Sequence, residues 1–378
     1  MQTGDYTTPA RQRVIYGQPV AAALPAALAG LSRVALVTTA SLNRPGGLAD
    51  RVEAALGPAC AGRFAAIRAH TPRGDVVALA RFLRETGAEG VVSVGGGSVC
   101  DAVKIARLLL ANDVHEAAGM DRLRAPAAIE GPRIPYACIP TTLSAGEYTA
   151  YAGSTDERGP LKEAYHHPML AAETVILDPA MTLATPRDLW FSTAIRAVDH
   201  AAEAFCAANT TPMAEATSLH ALRLLFRALP RLAEAPGDIG ARLDAQLGAW
   251  LSIQGFCAGV DLGGSHAIGH ALGGTAGMSH GHTSCVMLPH VLRWNAAVNA
   301  GRQQAIAEAA GAPDRPAADL VAELVARLGQ PGRLRDAGVA REILPKVAAA
   351  ALHDPWIATN PRPLGGEPGI RAMLEAAW

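Results

Sequence analysis

The pattern of apolar and polar positions changes near residue 180. Before it, short apolar runs alternate with stretches whose apolar residues recur every three or four positions. SRVALVTTA (32–40) reads as a strand, GGLADRVEAALG (46–57) as a helix and RFAAIRAH (63–70) as a second strand. DVVALARFLRETG (75–87) then reads as a helix, and GVVSVGGG (90–97) as a third strand running straight into a glycine turn. Strands alternating with helices in this way predict a parallel sheet covered by helices. After residue 180, TLATPRDLWFSTAIRAVDHAAEAFCAANTTP and MAEATSLHALRLLFRALPRLAEAPG carry helical periodicity, and β-branched runs nearly vanish. The expectation is an α/β domain over 1–180 and an all-α domain over 181–378, with the turn-rich VILDPAMTLATP (175–186) as the seam.

Composition narrows the classes of function. The chain has 378 residues, half of them hydrophobic, enough for a substantial core and for two domains. Lys and Arg number 33 against 34 Asp and Glu, and aromatic residues are 4% of the total, so there is neither a basic surface for phosphates nor a supply of rings to stack on bases. Nucleic acid is excluded as a partner on this basis. The opening twenty residues lack the apolar stretch of a secretory signal, and no segment offers roughly eighteen uninterrupted apolar residues. A soluble, cytoplasmic protein without a membrane partner is expected. Six cysteines (Cys60, Cys100, Cys138, Cys206, Cys257, Cys285) form no CxxC pair and read as core thiols.

Four stretches carry candidate chemistry. VVSVGGGSVCDAVKIARLL (91–109) is a buried strand, a turn of Gly95, Gly96, Gly97 and Ser98, and a helix. Glycines let backbone N–H groups approach an anion, and the positive end of the following helix adds attraction, as a pyrophosphate requires; a tight strand-to-helix connection explains the same residues. In IPTTLSAGEYTAYAGSTD (139–156), Thr141 and Thr142 place two hydroxyls at the end of a strand, either to meet a ribose or phosphate or simply as a polar loop. STAIRAVDHAAEAFCA (192–207) reads as a helix on which Arg196 and His200 share a face, as do Asp199 and Glu203. SHAIGHALGGTAGMSHGHTS (265–284) holds His266 and His270 one helical turn apart, with His280 and His282 beyond a glycine turn that could fold them back. Three imidazoles make a credible shell for Zn or Fe, and ordinary packing remains the alternative.

Taken together, AHTPRGDVVALARFLRETGAEGVVSVGGGS, IPTTLSAGE, HPMLAAETVILDP, AVDHAAEAF and SHAIGHALGGTAGMSHGHTSCVMLPHVLRWN resemble, in order and spacing, the iron-containing (group III) alcohol dehydrogenase superfamily. The phrases AHTP, LGGT and VMLPH look like its maleylacetate reductase branch. The resemblance implies the fold shared with dehydroquinate synthases: a cofactor domain followed by a helical metal domain, with the active site in the cleft between them. It implies NAD or NADP bound by Gly95, Gly96, Gly97, Ser98, Thr141 and Thr142, with Asp101 at the GGGSxxD position and Lys162 as a contact to cofactor or substrate. Thr39 stands where many members carry the Asp that excludes NADP, with Arg44 near it, so either cofactor is admitted.

In typical members one Asp and three His hold a divalent metal. The histidines correspond to His200, His266 and His280, but the Asp position is Arg196. A guanidinium cannot ligate, and at about 4 Å it would repel each unit of metal charge by about 4 kcal/mol at an effective dielectric near 20. Two versions stay open: Arg196 turns away toward Asp199 or Glu203 and leaves a three-His site for Fe or Zn, or Arg196 itself replaces the ion. Asp199, about 100° around the helix from His200, is expected to point away from it.

The implied reaction is hydride transfer between nicotinamide and a small alcohol, aldehyde or keto acid. Arg196 and His200 are catalytic candidates, and His270 is the proton relay. His282 is expected as a bystander and His290 as structural support. A maleylacetate reductase-type, metal-independent reduction of an unsaturated keto acid is the alternative. A non-catalytic nucleotide-binding relative is the rival of another class. The resemblance also implies a homodimer or larger homo-oligomer.

Overall fold

The computed structural model describes residues 12–124, 129–158 and 161–378, with the backbone alone for Leu161 and Lys162. The described chain forms two compact units that divide between Ala184 and Thr185.

In the first unit the elements run β1 (Arg13–Tyr16), α1 (Val20–Ala27), β2 (Val34–Val37), α2 (Leu48–Leu56), β3 (Cys60–Phe64), α3 (Arg73–Glu85), β4 (Gly90–Gly95), α4 (Gly97–Ala111), β5 (Tyr136–Pro140), β6 (Tyr151–Asp156), β7 (Leu161–His166) and β8 (Thr174–Leu177). Six strands form a parallel sheet in the order β1-β8-β5-β4-β2-β3, and β6 and β7 form an antiparallel hairpin. The inner strands β2, β4 and β5 are buried at every position, which is why they read as continuous apolar runs. Alternate residues Val34, Leu36, Val92, Val94, Ala137 and Ile139 pack with α1 and α2 on one face of the sheet.

The chain leaves β2 for β3 at the edge, then returns to β4 on the other side of β2. This reversal places the residues after β2 and after β4 side by side at the carboxyl ends of the strands, the position where open α/β sheets bind ligands. Thr38 and Thr39 follow β2, and the glycine turn follows β4.

RFAAIRAH was expected as a strand, but the strand lies earlier, at Cys60–Phe64. Its register against β2 pairs Val34 with Cys60 and Val37 with Phe64, and β2 ends there, so nothing remains for residues 65–70 to pair with. The segment after it includes two non-glycine residues in the left-handed region, His70 and Thr71. The short edge strand β1, the hairpin and β8 inside the proposed seam escaped the periodicity reading, because four to six residues carry too little pattern.

The second unit is helical: α5 (Arg187–Cys206), α6 (Pro212–Glu234), α7 (Ile239–Ser252), α8 (Gln254–Cys257), α9 (Gly264–Ala276), α10 (His280–Ala309), α11 (Ala317–Arg327), α12 (Leu344–Ala351), α13 (Trp356–Thr359) and α14 (Gly366–Ala377). α5 is buried along most of its 20 residues. Gly277, at φ +68°, ends α9, and the Ser279 side chain then caps α10 by accepting the His282 N–H. Ile268, Leu272, Met287, Leu344, Val347 and Leu374 close a core among α9, α10, α12 and α14. None of the six cysteines is in a disulfide, and no described helix is long and apolar enough to cross a membrane.

α10 meets α5 at Gly281, where an added Cβ would lie 2.7 Å from the backbone carbon of Ser192. Backbone cannot yield as a flexible side chain does. Gly281→Ala is therefore expected to lower stability by about 1–3 kcal/mol in urea unfolding. An unchanged midpoint would show that α5 and α10 can separate freely.

Candidate active site

In the sheet unit, the glycine turn has the form an anion needs. Gly95 sits at φ +156°, a conformation that L side chains rarely adopt, and a Cβ there would come within 2.7 Å of Val99 Cγ2. Gly96 is the N-cap of α4 with no side-chain cap, so the first N–H groups of the helix are left for a ligand. A Cβ on Gly96 would press to 3.0 Å from Thr142 Cγ2, and the Thr141 N–H donates to the Gly95 carbonyl at 2.9 Å. The glycine and threonine motifs thus form one cradle, and its residues fit a pyrophosphate.

Other expected cofactor residues have local partners. The Ser98 hydroxyl accepts the His70 N–H at 3.1 Å, and Asp101 Oδ2 accepts the Gly153 N–H at 3.1 Å, tying α4 to the hairpin. Thr39 Oγ1 lies 2.9 Å from Ser41 Oγ. Gly97 would meet only Ser144, at 3.9 Å. The Lys162 side chain lies outside the described residues.

In the helical unit, Arg196, Asp199, His200 and Glu203 lie at i, i+3, i+4 and i+7 of α5 and make one broad stripe. Glu203 meets the start of α9. Its carboxylate accepts the backbone N–H groups of Gly263 at 2.9 Å, Ser265 at 2.8 Å and His266 at 3.3 Å, and Asn360 Oδ1 accepts that of Gly264 at 3.1 Å. These are the N–H groups that a helix cannot satisfy internally, and the positive end of the helix favours an acidic partner. Glu203 Oε2 also lies 2.8 Å from Nδ1 of His266. Asp199, expected to point away from His200, supports the same turn. It accepts from Ser265 Oγ at 2.8 Å, and its other oxygen is 3.6 Å from His266 Nδ1.

The imidazoles form two pairs. His200 stacks on His266 with ring centroids 4.9 Å apart, and His270 meets His280 edge-on at 5.8 Å. Nδ1 of His200 and Nε2 of His266 are buried without a hydrogen-bond partner among the described residues. Burial, and after it the Arg196 charge, hold both rings well below the ordinary histidine pKa, so they are neutral. Arg196 does not swing to either acid. Its Nη1 donates to Ser284 Oγ at 3.2 Å and lies against Gly269, and among the described residues no carboxylate oxygen approaches its guanidinium within 4.0 Å. His282 pairs with Asp188 at 3.3 Å and His290 is half-buried in α10.

The three-histidine shell does not assemble. Among the described residues, the acidic and imidazole groups whose ligand atoms come within 4.8 Å of one another are Asp199, Glu203 and His266, and Asp121, Asp156 and Glu163; His200, His266 and His280 are not such a group. The first group is occupied with the start of α9, whose positive end repels a cation. The second is neutralised by Arg73, whose guanidinium reaches Glu163 and Asp121 at 2.5 Å, and by Arg124 and Arg158. With a guanidinium in the carboxylate's place, the residues present do not fit a divalent metal.

The helical unit also shows what sequence reading missed. Asp354, Trp356 and Asn360 surround α9 from the far end of the chain, and no spacing links them to the histidines. The sequence spacing offers Glu203 as a neighbour of Asp199 and a partner for Arg196, not as the acid that closes the start of α9. The signal that could have placed it was its position three residues after His200, on the same stripe.

Comparison with known proteins covers both units of the chain. Residues 11–179 match the iron-containing alcohol dehydrogenase family, and residues 191–378 match the C-terminal part of the Fe-containing alcohol dehydrogenase family. Maleylacetate reductase 1 of Cupriavidus pinatubonensis is 32% identical over 377 residues, covering 100% of this chain and 97% of that protein. The dehydrogenase ALT3 of Alternaria alternata is 33% identical over 350 residues, covering 82% of this chain and 90% of that protein. The crystal structure of maleylacetate reductase from Agrobacterium tumefaciens superposes with a TM-score of 0.84 at 29% identity, covering 100% of this chain and 99% of that one. The fold and family are those of an oxidoreductase. The chain belongs to the iron-containing alcohol dehydrogenase family, close to the maleylacetate reductases.

The burial of Glu203 makes stability depend on pH. Burial, and after it the neighbouring Asp199, push the Glu203 carboxyl from its ordinary 4.5 up to about 8, against the pull of three backbone N–H groups. A carboxyl raised in the folded state contributes its stability fully below about pH 4.5, and loses it as pH climbs to about 8. Between pH 6.5 and 8 the loss from this group is about 2 kcal/mol. Thermal melts at pH 6.5, 7.5 and 8.5 should fall for the wild type and fall less for Glu203→Gln, which has no proton to lose. Parallel curves would count against the raised pKa.

Proposed function

We propose that the protein transfers hydride between NAD(P) and a small alcohol, aldehyde or keto acid without a metal, with Arg196 supplying the positive charge. The observation that carries this reading is Arg196 itself: a half-buried guanidinium, among neutral imidazoles, that no carboxylate oxygen among the described residues approaches within 4.0 Å. Bound NAD(P) supplies or accepts the hydride at nicotinamide C4.

The chain's own residues do the remainder. Gly95, Gly96, Gly97, Ser98, Thr141 and Thr142 hold the pyrophosphate and its neighbourhood through backbone N–H groups and hydroxyls. Arg196 faces the oxygen on which negative charge grows as a carbonyl is reduced, and fixed charge inside a dry site acts far more strongly there than in water. Neutral His200 and His266 frame that oxygen with nitrogen atoms that have no other partner among the described residues. His270, an imidazole that can hold a proton on either ring nitrogen, passes the proton between the oxygen and solvent.

A keto acid is the second reading. The full-length similarity to maleylacetate reductases supports it, and so does a guanidinium free to meet a substrate carboxylate.

The test is oxidation of NADH or NADPH with a panel of aldehydes and keto acids, with chelator present. Arg196→Ala should reduce kcat by about 10²–10³-fold, the cost of losing one group that stabilises an oxyanion, and added Fe²⁺ or Zn²⁺ should not restore it. An Arg196→Ala enzyme with full activity in chelator would sink the assignment. Abolition of wild-type activity by chelation would sink it equally.

A further inference from the structure

His270 has a partner that its role as relay does not explain. Its Nδ1 lies 2.8 Å from Asp354 Oδ2, across 84 residues of sequence. Asp354 is itself held: its other oxygen accepts the Trp356 N–H at 3.0 Å, and its side chain is 14% exposed. The residues after it fasten to α9 and its lead-in. The Trp356 ring sits 5.2 Å from the His270 ring and meets His266 edge-on at 5.9 Å, with Phe256 edge-on behind it at 5.6 Å. Thr359 Oγ1 donates to the Leu262 carbonyl at 2.7 Å, and Asn360 Oδ1 accepts the Gly264 N–H at 3.1 Å. One segment, 354–360, thus braces the histidine face of α9 at several points. Burial works against the Asp354 charge, but the hydrogen bond and electrostatic pull of His270 together with the Trp356 N–H outweigh it and hold the carboxyl below its ordinary range.

We propose that Asp354 is a positioning residue for His270: it keeps the proton on Nδ1, fixes the plane of the ring, and so presents Nε2 to the substrate oxygen. The inference rests on the hydride-transfer reading above. In the alcohol-oxidising direction, the O–H bond gives its proton to Nε2 of His270. As negative charge gathers on the oxygen the carbinol C–H bond breaks, its electron pair leaves as hydride to nicotinamide C4, and the alcohol becomes the carbonyl. The imidazolium so formed is balanced by the Asp354 carboxylate, and the half-exposed ring returns the proton to solvent. Reduction runs through the same groups in reverse. A carboxylate that orients an imidazole and stabilises its cation needs no proton of its own.

Three measurements on the full-length protein test this. In steady-state reduction with NADH or NADPH, Asp354→Asn keeps an acceptor for Nδ1–H but removes the charge. It should lower kcat by about 10- to 100-fold, within the range of a general acid–base contribution, with KM changed less than twofold. The solvent deuterium isotope effect on kcat should rise, because proton transfer becomes limiting, and the isotope effect of cofactor deuterated at C4 should shrink. His270→Gln and the His270→Gln, Asp354→Asn double variant should have equal kcat, since Asp354 acts only through His270. ¹⁵N-edited NMR should show a proton on His270 Nδ1 in the wild type, with its hydrogen-bonded shift moved in Asp354→Asn.

Retention of kcat within twofold by Asp354→Asn would overturn the proposal. So would a fall in kcat with unchanged isotope effects, or additive losses in the double variant, or a wild-type ring protonated at Nε2. The NMR measurement reads ring orientation without turnover. A wild-type protein that reduces no carbonyl compound but carries the Nδ1 proton would therefore overturn the assigned reaction and leave the positioning by Asp354 standing.

Discussion

Everything in the helical unit that bears on chemistry hangs from a buried carboxylate at the start of a helix. Glu203 closes the open N–H groups of α9 and in the same contact holds His266. Burying a carboxylate costs several kcal/mol, and here the helix terminus offsets that cost with donors that would otherwise be unsatisfied. Gly263 leaves room for it, since a Cβ there would press to 3.0 Å from the Glu203 oxygen and 3.1 Å from that of Asn360. The geometry of α9, and through it that of His266 and His270, follows from satisfying that one turn.

The second constraint is charge. Arg196, Asp199 and Glu203 are brought together at low exposure, and the two acids are raised by burial, Glu203 to about 8 and Asp199 to about 6. Neutral histidines beside a permanent cation suit an oxygen that becomes negative in the course of reaction. They suit a divalent ion poorly, because the carboxylate that would balance it is replaced by Arg196 and the other acids are spent on α9. On the proposed reading, the arrangement that stabilises the fold also bears on the kind of catalysis open to this member of the iron-containing alcohol dehydrogenase family.

Much of the architecture was legible in the residues. The buried strands β2 and β4, helices α2 and α3, and the helical character of everything after residue 184 follow from hydrophobic period. The failures share a cause. RFAAIRAH has the composition of a strand, but where a strand stops is set by its neighbour's length, and β2 stops at Val37. The hairpin β6–β7 and strand β1 are too short to show a period above noise. At the site, the four histidines and the misplaced arginine were visible, because each stands at a fixed offset from its neighbours.

By itself the sequence determined which side chains share a helix face: His266 with His270, and Arg196 with His200 and Glu203, since 3.6 residues per turn leaves no choice. It determined equally that a guanidinium, not a carboxylate, occupies position 196. Only the tertiary structure decided that Glu203 would meet His266 across 63 residues, that Asp354 would meet His270 across 84, and that the imidazoles would pair rather than converge. Such contacts depend on how helices settle against one another, and that is fixed by the packing of whole faces and the satisfaction of buried polar groups, quantities that no local spacing contains.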